Sequence, residues 1–131
     1  MTLQLADFEG LWRLERRMVH GDGVEARFLG EAVFRPVSDG LAYEEVGRLT
    51  LPGQPEMEAR RRYLWKPDLT VWFDDGRFFH QVPLAGGETA HWCDPDQYDG
   101  VYEFGDWPVW RVTWIVRGPR KAYRMESEYR G

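Results

Sequence analysis

The sequence predicts an all-β fold: one antiparallel meander of about 8–10 short strands closed into a barrel, preceded by a short N-terminal helical turn. Three observations carry this reading. Turn signals recur roughly every ten residues along the whole chain. The segments between them are rich in aromatic and β-branched residues, and aromatics make up 15% of the chain. Only residues 2–9 suggest a helical turn, with Thr2 or Asp7 as its cap.

The punctuation sets the elements in order. Gly21-Asp22-Gly23, Ser38-Asp39-Gly40, Pro52-Gly53, Pro67-Asp68, Asp74-Asp75-Gly76, Gly86-Gly87, Gly105-Asp106 and Gly118-Pro119 are turn sequences. They leave strands near 10–20, 25–36, 41–50, 57–66, 69–74, 77–83, 88–93, 99–104, 109–117 and 121–130. A closed barrel is favoured over an open sandwich because closure removes vulnerable edges.

The last hairpin is the best defined. A two-residue turn centred on Pro119-Arg120 sets Val116 against Tyr123, Trp114 against Met125, Val112 against Ser127 and Trp110 against Tyr129. That apolar, aromatic face should be buried, because a slip of one residue would expose all of it. The opposite face pairs Arg111 with Glu128 across the strands.

Length and composition bound the function. The 131 residues are read as one domain, 1–131, large enough to bury a core. Seven Trp, six Tyr and seven Phe suit strands and also suit the lining of a small-molecule pocket. The net charge of −5 argues against a nucleic-acid footprint. A single cysteine excludes an internal disulfide, so nothing requires an oxidising compartment. The first ten residues carry Asp7 and Glu9 and lack a long apolar run. No signal peptide, membrane span or membrane partner is expected, and the expected location is the cytoplasm of a bacterial-type cell.

Several segments carry a family resemblance. They are Phe8-x-Gly10-x-Trp12, Arg62-Tyr63-x-Trp65, Gly76-Arg77-x-Phe79-His80, His91-x-Cys93-x-x-Asp96-x-Tyr98-x-Gly100-x-Tyr102-x-Phe104 and Val116-x-Gly118-Pro119-Arg120-Lys121. Together they resemble a bacterial and fungal domain family of unknown function with a lipocalin-like (calycin) barrel. Gly10-Leu11-Trp12 is similar to the Gly-x-Trp signature of calycin barrels. That likeness implies an Arg from the last strand over the Trp, here Arg124 or Arg130. The family resemblance implies a barrel and no particular reaction, cofactor or substrate.

The titratable groups concentrate in His91-Trp92-Cys93-Asp94-Pro95-Asp96-Gln97-Tyr98, with His80 just upstream. If 77–93 forms a hairpin with a short loop of even length, Phe78, His80 and Val82 share a face with His91 and Cys93. Three readings of this cluster are open. It is a set of hydrogen-bonded core residues, with Cys93 a small buried hydrophobe. It is a ligand pocket, in which His80 and His91 contact a polar group among aromatic rings. It is a metal or catalytic centre, although no metal-binding spacing supports that. Asp94-Pro95-Asp96 reads as the turn beyond the strand, with Asp96 free to orient a His or to meet Arg120 or Lys121 at a barrel mouth.

Arg60-Arg61-Arg62 alternates across a strand, so Arg61 shares a face with Tyr63 and Trp65. The arginines either pair with Glu44, Glu45 or Glu58 at the surface, or one of them enters the barrel to meet an anionic ligand.

The leading expectation is a barrel that binds a small, partly apolar molecule, with an anionic group as an option. His80, His91, Cys93, Tyr98, Arg61, Tyr63, Trp65, Trp114 and Tyr123 are its candidate contacts. The alternatives are an enzyme using His80, His91, Asp96 and Tyr98 as acid and base, and a structural or assembly module. No metal site and no identified cofactor are expected, and the chain is a monomer or a homodimer.

Overall fold

The computed structural model describes residues 1–131. Its elements are a 3-10 turn (Leu5–Phe8), then β1 (Gly10–His20), β2 (Glu25–Val37), β3 (Gly40–Thr50), β4 (Met57–Trp65), β5 (Thr70–Phe73), β6 (Phe78–Gln81), β7 (Gly87–Cys93), β8 (Asp96–Glu103), β9 (Trp110–Arg117) and β10 (Ala122–Arg130). All ten strands form one antiparallel sheet in the order β6-β5-β4-β3-β2-β1-β10-β9-β8-β7. Neighbours in sequence are neighbours in space, and β1 meets β10 to curl the meander into a nearly closed barrel. No helix is long and apolar enough to cross a membrane.

Alternation builds the interior, as the pleat requires. On β1 the inward positions are Trp12, Leu14 and Arg16; on β9 they are Trp110, Val112, Trp114 and Val116. The β9–β10 register pairs Val116 with Tyr123, Trp114 with Met125 and Trp110 with Tyr129, as the hairpin argument required. Arg111 and Glu128 meet at 3.0 Å on the outer face.

The 3-10 turn closes one end. Gln4, not Thr2 or Asp7, is its N-cap residue, and the Asp7 carboxylate accepts from the Gln4 backbone N–H at 2.7 Å. The turn drives Phe8 into a cluster of rings, 5.1 Å from Trp65 and 5.3 Å from Trp107 and Trp110. Full burial of such a ring stabilises by roughly 1.5–3 kcal/mol. Trp12 is anchored by donating to the Phe8 carbonyl at 2.8 Å. No arginine covers Trp12: Arg124 and Arg130 are exposed and pair with Glu126 and Glu128.

Residues 77–93 depart from the expected hairpin. β6 pairs only with β5, and β7 only with β8, so the two strands are the free edges that face each other across a seam. A bulge opposite Val71/Trp72 adds one residue to β6. It breaks the period of two, so Phe79 and His80 both reach the interior while Phe78 turns out, 46% exposed. The turn after β7 is shorter than Asp94–Asp96. Asp94 and Pro95 make it, and Asp96 opens β8 opposite Cys93.

Candidate functional site

The half of the barrel away from the 3-10 turn is hollow. A cavity of about 300 Å³ lies among aromatic side chains and reaches the surface beside Arg61, Arg77 and Cys93. Its walls are made by strands from around the sheet, because inward positions of a barrel converge whatever their separation in sequence.

One wall is a stack of rings. Phe79 lies 5.3 Å from Trp114 and 4.6 Å from Phe73, with interplanar angles of 18° and 16°. Gly100 permits this. A Cβ there would come within 2.8 Å of the Trp114 ring, so only glycine lets the indole lie flat over β8. Tyr63 joins the stack 5.8 Å from Phe79, and His91 meets Phe79 edge-on at 5.2 Å across the β6–β7 seam.

His80 sits behind this wall, 3% exposed. Its Nε2 is 2.7 Å from the Tyr102 hydroxyl, and its Nδ1 has no hydrogen-bond partner. Burial, with His91 nearby, pushes the His80 pKa down to about 3, so the ring is neutral at physiological pH. His91 is also lowered, by burial first, with hydrogen bonding to the Phe79 backbone opposing it. Trp110 is fully buried and stacks on Tyr129 at 3.9 Å, and its indole N–H also lacks a partner.

A buried ion pair forms another part of the lining. Arg16 Nη1 and Nη2 donate to the two Glu45 oxygens at 2.5 and 3.0 Å, and Arg16 Nε donates to Ser127 Oγ at 2.8 Å. The Tyr43 hydroxyl donates to Glu45 at 2.6 Å and lies 2.9 Å from the Tyr129 hydroxyl. Burial alone would push the Glu45 carboxyl up, but Arg16 and Tyr43 outweigh it and hold the pKa below the usual glutamate value. Burial likewise opposes charge on Arg16, and Glu45 more than restores it.

The structure places all nine candidate contacts around this one cavity: His80 and Trp114 buried with Trp65, then Tyr63, His91, Tyr98 and Tyr123 half-buried, and Arg61 and Cys93 exposed at the mouth. Cys93 is therefore not a buried hydrophobe. Asp96 is not part of the lining. It is buried at the start of β8 and pairs with Lys121 at 3.2 Å, and it bonds to neither histidine. No three His, Cys, Asp or Glu side chains converge to hold a metal.

Two of the three arginines make the expected surface pairs. Arg62 pairs with Glu44 and Arg60 with Glu58 at the surface, but Glu45 is turned inward. The arginine that enters the barrel is Arg16, and it meets an internal carboxylate rather than open space. Arg61 stays at the mouth, with no carboxylate in salt-bridge contact. The signal for the hidden pair was present in the alternation, since Arg16 continues the inward Trp12-Leu14 series and Glu45 the inward Leu41-Tyr43 series.

The chain belongs to the family of unknown function DUF6314, which it matches over residues 8–131. Its fold is similar to that of the S-type phycobiliprotein lyase CPES from Guillardia theta, with a TM-score of 0.63 over 95% of this chain and 87% of that one. The identity is 7%, so the likeness is one of fold. It makes the nearly closed ten-stranded barrel lipocalin-like. No curated protein matches the chain.

Proposed function

We propose that this protein binds a small, partly apolar molecule inside its barrel, with its buried end against the rings of Tyr63, Phe79 and Trp114 and its outer end beside Arg61. One observation carries the reading. A cavity of about 300 Å³ is lined largely by aromatic side chains and opens to the surface beside the Arg61 guanidinium. The walls supply apolar and aromatic area, and few polar groups converge on it, which is the usual composition of a small-molecule site. A volume of about 300 Å³ stands at the small end of such sites. The free Arg61 guanidinium at the mouth suits an anionic substituent that remains partly in water.

Native mass spectrometry of the freshly purified protein tests this directly. A co-purified small molecule, lost on denaturation and displaced by a bicyclic aromatic acid, supports the reading. A bare mass, together with no heat of binding for a panel of bicyclic aromatic acids and one bilin pigment, overturns it. The bilin is included because the structural neighbour is a phycobiliprotein lyase.

A further inference from the structure

We infer that the cavity mouth is a carboxylate site, and that the guest is a flat monocarboxylic acid held there by Arg61, with the Tyr98 and Tyr123 hydroxyls as further donors. This rests on the cavity binding proposed above and names the chemical class of the guest.

Arg61 is a cation whose nearest carboxylate is already taken. It stands directly opposite Glu45 in the β3–β4 ladder, two residues along from the Tyr43–Tyr63 pair. Side chains so opposed are close enough to form an ion pair. Both Glu45 oxygens are committed to Arg16 instead, and one of them also accepts from Tyr43. Arg61 therefore reaches the mouth with its fork of N–H donors unpaired. That planar fork matches the two oxygens of a carboxylate.

The other charges in the lining cancel. Arg16 is matched by Glu45, and Arg77 by Asp75 at 2.7 Å. Burial holds His80 and His91 neutral. Lys121, beside the mouth, is matched by Asp96 at 3.2 Å. One uncompensated positive charge remains in the lining, so a guest with a single negative charge completes the cavity. The second charge of a dianion would find no free cation there.

Another part of the rim adds donors without charge. Tyr98, Val116 and Tyr123 form one row across β8, β9 and β10. Both phenols line the cavity and are half-buried. Burial, and then the neighbouring Tyr98 hydroxyl, push the Tyr123 pKa up, while the Arg61 charge acts on the same phenol in the opposite direction. Tyr123 thus stays a protonated donor within the field of Arg61. A carboxylate lodged between them leaves the body of the guest along the stacked rings of Phe73, Phe79 and Trp114, which favour a flat partner.

Three naphthalene probes separate the possibilities by isothermal titration calorimetry: 1-naphthoate with one charge, naphthalene-1-carboxamide with the same shape and none, and 1-naphthyl phosphate with two. All are used at about pH 8, where the phosphate carries both charges. 1-Naphthoate should bind about tenfold more tightly than either of the others, the value of one charge-assisted hydrogen bond. Tyr98→Phe and Tyr123→Phe keep the rings and their packing and remove only a donor. Each should weaken 1-naphthoate severalfold and the carboxamide less. Arg61→Lys, which keeps the charge and loses the fork, should bind 1-naphthoate with an affinity between those of the wild type and Arg61→Gln. If the carboxamide or the phosphate binds as tightly as 1-naphthoate, or if neither tyrosine variant changes its affinity, the carboxylate site is overturned while cavity binding stands. If none of the three binds and no molecule co-purifies, cavity binding itself fails and takes the site with it.

Discussion

Replacing Arg16 by methionine should be among the most damaging single changes in this barrel, and its effect should depend on pH with an inverted sign. The Arg16 and Glu45 side chains are 6% and 2% exposed. Arg16→Met fits the space with a flexible apolar chain but leaves the Glu45 carboxylate buried with only Tyr43 donating to it. Stranding one member of a buried pair costs about 3–5 kcal/mol. Against a total stability of roughly 5–15 kcal/mol, that is a large fraction. In the wild type the Glu45 pKa is lowered by folding, so its contribution is present above the unfolded glutamate pKa and is lost as pH falls through the folded value. In Arg16→Met the carboxyl is buried without its cation, so folding raises its pKa instead. The penalty is then full above the folded pKa and is relieved by protonation. The variant should regain ground on the wild type as pH drops from about 7 to about 5. Urea titrations followed by tryptophan fluorescence at several pH values measure this through the midpoint at constant slope. The Arg16→Met/Glu45→Gln double variant, which removes both charges, should recover most of the loss. A single-variant cost below about 1 kcal/mol would mean that the pair is effectively solvated. A loss that does not shrink at low pH would show that Glu45 is not the source of the penalty.

Three further outcomes follow from the site. The His80 ring, with a folded pKa of about 3 against an ordinary 6.5, takes up a proton on unfolding between those values. Stability should rise with pH across that window and level off above it, and His80→Phe should flatten the slope by up to one proton. NMR should show the native His80 ring not titrating between about pH 5 and 8. Gly100→Ala places a methyl 2.8 Å from the Trp114 ring, so it should cost about 1–3 kcal/mol and change the near-UV circular dichroism of the Trp114–Phe79 stack. An unchanged spectrum would mean that the indole yields easily. Arg61→Gln, at an exposed position with no salt bridge, should leave stability within about 0.5 kcal/mol. It should weaken 1-naphthoate severalfold while leaving the uncharged methyl ester unaffected, and equal loss for both would remove Arg61 as an anion contact.

The strands were legible because each short apolar segment ends in Gly, Pro or Asp, and because most of them bury one face. The β9–β10 register could be read to the residue, since any slip would expose Trp110, Trp114 and Tyr129 together. The candidate residues could be picked out as a set that lines one cavity, but their arrangement could not. His80 and His91 were expected on one face of a hairpin, yet they stand on two separate sheet edges. That distinction depends on how far the whole sheet curls, which no local pattern records. The bulge that turns Phe78 out and Phe79 in leaves no signature in Phe-Phe-His, since every residue there suits an interior. The Arg16–Glu45 pair was hidden for a different reason. Charged residues at inward positions are indistinguishable from a surface stripe until both strands are known to enclose the same space.

That pair also explains why the interior is solid at one end and hollow at the other. Phe8, Phe34, Trp65 and Trp110 fill the end beside the 3-10 turn with rings in mutual contact. Where Arg16 and Glu45 take over the inward series on β1 and β3, further collapse would strip two charges of their fixed hydrogen bonds. Apolar residues in their place would be no less stable, so stability alone does not account for the pair. A rigid polar wall that keeps the remaining space open does. The Arg16→Met/Glu45→Gln variant separates the two accounts, because a protein of near wild-type stability that no longer takes up 1-naphthoate would show that the ion pair shapes the cavity. Undiminished binding in that variant would leave the pair with no part in it.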